Sequence, residues 1–197
     1  MKKTRLIMFS GGIDSTYVLW DALTSDHDDL IHVHHISLRN VENRWKQEAD
    51  AVERIINYLS TKQLKPFNYT ESIWSFPFTG YFCWDIDIVA FVASQVAQNL
   101  SGHVTIYTGG YEDWRQGLTG VHAIMKKHAE IANSILAITC REKDVEKKLC
   151  KPLIGVKKSE VIKKLPKDLL SLTWSCRKPV DEKPCGVCVS CKELSEV

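Results

Sequence analysis

The sequence predicts an α/β fold, a parallel sheet covered by helices. Apolar runs of strand length alternate along the chain with longer stretches of helical period. A glycine-rich loop separates the first such strand from the first helix, a junction suited to binding phosphate. After Pro166 the pattern changes to turn formers, prolines and a crowd of cysteines, which reads as a small metal-bound lobe.

Taken in order, Leu6 to Phe9 is the first strand and Tyr17 to Leu23 continues the glycine loop as a helix. Ile31 to Leu38 is the second strand. Trp45, Ala49, Val52, Ile55, Ile56 and Leu59 then recur at near-3.6 spacing opposite a charged face, an amphipathic cover helix. Phe67 to Tyr69 is a short third strand and Val104 to Thr108 the fourth. Asp85 to Leu100 is a helix apolar on most sides, and Val121 to Leu136 another, with Lys126, Lys127 and Glu130 on its wetter face. Ser159 to Leu165 is a shorter helix stopped by Pro166. Residues 1–170 thus form the α/β domain and 171–197 the cysteine lobe packed on it. No internal repeat is present.

Composition excludes several classes. A chain of 197 residues with 44% hydrophobic and 25% charged residues is that of one globular domain. No apolar stretch approaches the roughly 18 residues of a membrane helix. The basic start, Met1 to Arg5, is followed by an apolar run of only Leu6 to Phe9, so no secretion signal is expected and the chain reads as cytoplasmic. A net charge of +2 gives a weak field, so strong nucleic-acid binding is not expected. The odd count of seven cysteines fits a metal site in a reducing compartment better than a disulfide framework.

Ser10-Gly11-Gly12-Ile13-Asp14-Ser15-Thr16 lies between strand and helix. Paired glycines let the backbone approach an anion closely, and the first amides of the helix point at it. The hydroxyls of Ser10, Ser15 and Thr16 are expected to add donors, and the helix dipole favours negative charge there. The plain alternative is a strand-to-helix turn capped by Asp14 or Ser15. The loop has neither the lysine of a Walker A sequence nor the GxGxxG spacing of a dinucleotide fold.

Cys176, Cys185, Cys188 and Cys191 supply four thiolates, the last three at intervals of three, with Gly186 permitting a sharp turn. Such a set closes a tetrahedron around Zn²⁺ and leaves no position for substrate, so the metal would be structural. Cys83, Cys140 and Cys150 suit the role of small buried hydrophobes.

The SGGxDS loop resembles the pyrophosphate loop of the ATP pyrophosphatases, which include GMP and NAD synthetases, argininosuccinate synthetase, tRNA-thiolating enzymes and 7-cyano-7-deazaguanine synthases. With the four-cysteine pattern at the other end, the chain looks like the last of these. Pro152-Leu153, Lys158-Ser159-Glu160 and Thr173-Trp174-Ser175-Cys176 resemble further segments of that family. The resemblance implies a five-stranded parallel sheet with helices on both faces, adenine nucleotide α-hydrolase-like, and often a homodimer. It implies a ligase that splits ATP to AMP and pyrophosphate, adenylates a 7-deazaguanine carboxylate and converts it with ammonia to the amide or nitrile. Ser10, Gly11, Gly12, Asp14 and Ser15 would hold the pyrophosphate, Lys158 would contact phosphate, and Mg²⁺ would offset its charge. Thiolating members of the superfamily include some with an iron–sulfur cluster, so zinc and cluster both stay open. The rival functions are tRNA thiolation and a non-catalytic nucleotide-binding zinc adaptor.

The middle of the chain departs from the family pattern where the base is recognised. Trp74, Phe76, Phe78, Tyr81, Phe82 and Trp84 crowd a loop interrupted by Pro77 and Gly80, fit either for core packing or for stacking on a planar base. The loop from Gly109 to Arg115 follows a strand at its carboxyl end, which makes Asp113 and Arg115 candidates for substrate or Mg²⁺ contact. Alternation puts His32 and His34 on one face of the second strand and His35 on the other, as neutral, hydrogen-bonded side chains. The Lys143 to Lys151 charge run reads as solvated surface.

Overall fold

The structure, a computed structural model, describes residues 3–40, 42–75, 85–109, 130, 133–137 and 146–195. Five strands form one parallel sheet: β1 (Lys3–Phe9), β2 (Leu30–Arg39), β3 (Phe67–Ser75), β4 (His103–Thr108) and β5 (Lys147–Cys150), in the order β3-β2-β1-β4-β5. Among the described residues the helices that accompany them are α1 (Ile13–Thr24), α2 (Trp45–Ser60), α3 (Asp85–Gln98), α4 (Lys158–Lys164), α5 (Lys167–Ser171) and α6 (Val189–Ser195).

Alternation along β1 sorts the core into two layers. Ile7 and Phe9 join Ile31, Val33, the apolar sides of α1 and α2, Val161 and Ile162 of α4, Leu165 just after it, and Leu169 of α5. Leu6 and Met8 face the other way, with Ile36, Leu38, Val104, Ile106 and the α3 residues Val92, Ala93 and Ala97. The sheet therefore carries helices on both faces, which is why its central strand reads as one uninterrupted apolar run.

Two strands differ from the sequence reading. β3 runs to Ser75, well past Tyr69, and β5 lies inside the lysine run taken for solvated surface. Both are outermost strands with no fully buried residue, so the apolar signal thins. Part of the expected Val121 to Leu136 helix appears as helical backbone at 130 and 133–137; the rest of it lies outside the described residues.

The histidines of β2 divide between the faces as alternation requires. His32 Nε2 and His34 Nδ1 both meet Thr70 Oγ1 at 2.8 Å, His34 Nε2 meets Ser72 Oγ at 3.0 Å, and His35 Nδ1 donates to the Phe9 carbonyl at 2.9 Å. Burial holds the His34 imidazole down to about 4, with repulsion from His32 and His35 adding to it. An unfolded histidine titrates near 6.5, so below about pH 6.5 the unfolded chain takes up a proton that the folded chain refuses until about pH 4. Stability is expected to be complete above that window and to fall across it as the pH drops, by on the order of 2 to 3 kcal/mol from His34 alone. Urea unfolding at about pH 7.5 and about pH 4.5 checks this, and His34→Gln should shrink the difference.

Candidate nucleotide site and metal centre

The strand order reverses at β1, because β2 lies on one side of it and β4 on the other. The carboxyl ends of β1 and β4 flank the crevice where open α/β sheets bind ligands. The glycine loop leaves β1 at that point.

Gly11 has φ +73°, and a Cβ there would stand 3.1 Å from Ala51 Cβ, Val52 Cγ2 and the Val52 amide nitrogen of α2. Glycine is required twice over, by the left-handed backbone and by the contact. Gly12 is the N-cap of α1 and no side chain caps the helix, so neither Asp14 nor Ser15 is the cap that the plain turn reading expected. The amides of such a first turn lack intrahelical partners and suit an anion. Asp14 sits in that first turn.

The hydroxyls of the loop differ in availability. Ser15 is 4% exposed; its hydroxyl donates to the Gly12 carbonyl at 3.1 Å and accepts the Ser10 amide at 3.2 Å. Thr16 is fully buried, and its Oγ1 has no hydrogen-bond partner among the described residues. Ser10 alone of the three is exposed, with its Oγ 3.1 Å from Ser15 Oγ and 3.4 Å from the Gly12 amide. Ser15 and Thr16 thus shape the loop from within, whereas Ser10 lies at its exposed edge.

Gly109, just past β4, closes the other side. A Cβ on it would stand 2.7 Å from the Ser15 amide nitrogen, so β4 ends against the backbone of α1's first turn. Lys158, at the start of α4, makes an ion pair with Glu193 of α6, Nζ to Oε2 at 2.9 Å. Trp84, Asp113 and Arg115, like Phe76, Phe78, Tyr81, Phe82, Cys83 and Cys140, lie outside the described residues.

A charged network beyond the end of β2 escaped the sequence reading. Arg44 bridges Glu42 at 2.6 Å, Glu48 at 3.0 Å and Asp85 at 2.8 Å, while Asn40 donates to the other oxygen of Asp85 at 2.7 Å. It ties the β2–α2 turn to the start of α3 on the carboxyl edge of the sheet. Burial raises the Glu48 carboxyl even though Arg44 draws it down. The available signal was the position of Asn40 and Arg44, directly after a strand's carboxyl end.

The structure brings the four cysteines of the C-terminal segment together. The Sγ atoms of Cys176, Cys185, Cys188 and Cys191 all lie within 4.8 Å of one another, with Cys185 and Cys191 at 4.0 Å. The Cys185 amide donates to Cys176 Sγ at 3.2 Å and the Cys188 amide to Cys185 Sγ at 3.3 Å. Burial opposes a thiolate at Cys188, but backbone donors from Arg177 and Cys191 outweigh it and bring the thiol down to about 6. A paired turn of Val180 and Lys183, with Asp181 and Glu182 both at positive φ, leads the chain back from Cys176 to Cys185. Gly186, φ +71°, has nothing within 4 Å of a Cβ, so it is needed for its backbone angle alone. Such a cluster can bind a metal ion.

Among the described residues no helix is long and apolar enough to cross a membrane. No protein-family profile and no curated protein sequence matches the chain. A solved structure similar to it is that of the U34-tRNA thiolase NcsA from Methanococcus maripaludis with its [4Fe-4S] cluster, at TM-score 0.50 and 16% identity. The match covers 99% of this chain and 64% of the thiolase, so the chain spans under two thirds of that protein's length. The likeness is one of fold alone, a five-stranded parallel sheet with helices on both faces.

Proposed function

We propose that the chain is an ATP pyrophosphatase that adenylates a 7-deazaguanine carboxylate and converts it with ammonia to the amide or nitrile. The carrying observation is the loop itself: an uncapped helix start with Gly12 as N-cap, at the point where the strand order reverses. In this reading Ser10 and the backbone from Gly11 to Thr16 hold the pyrophosphate, Asp14 serves the Mg²⁺ that offsets its charge, and Lys158 adds a cation. Trp84, Asp113 and Arg115 are assigned to the substrate.

The thiolate spacing supports zinc at the cysteines. A tetrahedral Zn²⁺ with bonds of about 2.3 Å needs sulfurs about 3.8 Å apart, and the four Sγ atoms lie within 4.8 Å of one another. A four-iron cube holds its thiolates on outward corners and needs them farther apart. A second reading, tRNA thiolation, draws on the fold likeness to a thiolase, a class whose loop the Ser10 to Ser15 segment also resembles.

Incubation with ATP, Mg²⁺, ammonium and 7-carboxy-7-deazaguanine, followed by mass spectrometry, tests the first reading. Asp14→Ala and Ser10→Ala are each expected to slow pyrophosphate release on the order of 10²-fold while leaving the fold intact. Unchanged release in both variants removes the loop from the mechanism. Tight tRNA binding together with iron and sulfide in the purified protein moves the function to thiolation.

A further inference from the structure

The cysteine lobe grips the glycine loop directly. The Trp174 amide donates to the Gly11 carbonyl at 2.9 Å, and the Trp174 carbonyl oxygen stands 3.4 Å from the place a Cβ on Gly12 would take. The Trp174 indole in turn donates from Nε1 to the Cys176 carbonyl at 3.0 Å. Cys176 is the buried member of the cysteine set, 3% exposed, and its Sγ accepts the Cys185 amide. One unbroken chain of contacts therefore runs from the loop through Trp174 to Cys176 and Cys185.

A second tether leaves the far end of the set. Glu193 follows Cys191 by two residues and holds Lys158 Nζ at 2.9 Å, with the two side chains only 31% and 20% exposed. Trp174 precedes the first cysteine by the same interval. Each end of the metal centre thus reaches a group assigned to phosphate.

Adjacent glycines have the greatest backbone freedom of any pair, so a loop built on Gly11 and Gly12 keeps an anion-binding shape only if its neighbours fix it. Ala51 and Val52 brace Gly11 on the side of α2, and Trp174 supplies the second brace. A lysine ammonium carries three donors, so Glu193 can orient Lys158 while leaving donors for phosphate.

We propose that the metal centre positions the nucleotide site, with Trp174 and Glu193 as the positioning residues that carry its geometry to the Gly11 peptide and the Lys158 ammonium. This rests on reading the loop as a nucleotide site. Linkage then works in both directions: an ion closing the four thiolates raises nucleotide affinity, and nucleotide raises metal affinity by the same factor.

The test uses the metal-loaded full chain, α,β-methylene-ATP with Mg²⁺, and competition for the metal by a chromogenic chelator. Saturating analogue is expected to raise the metal affinity of the wild-type chain about tenfold. Trp174→Phe and Glu193→Gln are each expected to weaken analogue binding about tenfold and to shrink that response, with the thermal unfolding midpoint unchanged. A purely structural lobe would lower the unfolding midpoint on mutation without making metal affinity answer to nucleotide. Should Trp174→Phe fail to fold, Glu193→Gln and the wild-type competition still decide. Analogue binding by the wild type with no change in metal affinity overturns the proposal alone. Absence of analogue binding overturns the nucleotide reading and the proposal with it.

Discussion

Metal removal from Cys176, Cys185, Cys188 and Cys191 is expected to unfold residues 173–195 while the five-stranded sheet stays folded. Among those residues only Cys176 is buried; Val180, Val187, Val189 and Leu194 are 59%, 70%, 50% and 37% exposed. Fixing the backbone costs about 1 to 2 kcal/mol per residue, and this segment has no apolar core to offset it. Apparent binding free energies for structural zinc reach about 10 to 16 kcal/mol, enough to do so. Hydrogen exchange before and after chelation should show protection lost at 185–192 and kept in β1, β2 and β4. Cys188→Ser should give the same pattern. Retained protection at 185–192 in the metal-free protein would show that packing alone folds the lobe.

Gly109→Ala is expected to damage stability and the proposed nucleotide site together. The added methyl would sit 2.7 Å from the Ser15 amide nitrogen and 3.0 Å from the Asp14 carbonyl carbon, so backbone must move in β4 or in α1's first turn. Neither can yield easily, since β4 is paired to β1 and α1 packs into the core. A loss of about 3 kcal/mol is expected, at the upper end for overpacking. Because the displaced atoms are the loop's own, nucleotide affinity should fall at temperatures where the variant is still folded. Urea unfolding and analogue binding measured side by side check both parts; a stability loss with unaltered binding would separate β4 from the loop.

The parts of the fold that the sequence revealed are those whose signal is local. β1 has both faces covered, so it reads as a continuous apolar run, and α2 alternates its buried Val52, Ile55 and Leu59 with charge. The third strand was legible only for its first residues, because exposed Thr70 and Glu71 interrupt it. The fifth is half lysine and was implied only by family resemblance. The same division holds at the site. The glycine loop and the cysteine set are patterns confined to short stretches of sequence, whereas Gly109, Trp174 and the Arg44 to Asp85 bridge act through neighbours distant in sequence. No periodicity or motif encodes a contact between Gly11 and Trp174.

The reversal of strand order that opens the crevice also governs when the crevice can exist. β1 meets β2 across short separations, Thr4 opposite Leu30, but its other neighbour is reached only at Val104. Closing the longer span costs roughly 1 kcal/mol more in chain entropy. On a ribosome the half-sheet β1, β2 and β3 can pair while β4 is still unmade. The glycine loop is then an open turn on the rim of an unfinished sheet, and it becomes walled on both sides only when Gly109 arrives and Trp174, later still, docks on Gly11. Assembly of the loop's full surroundings is thereby deferred until synthesis has passed Trp174.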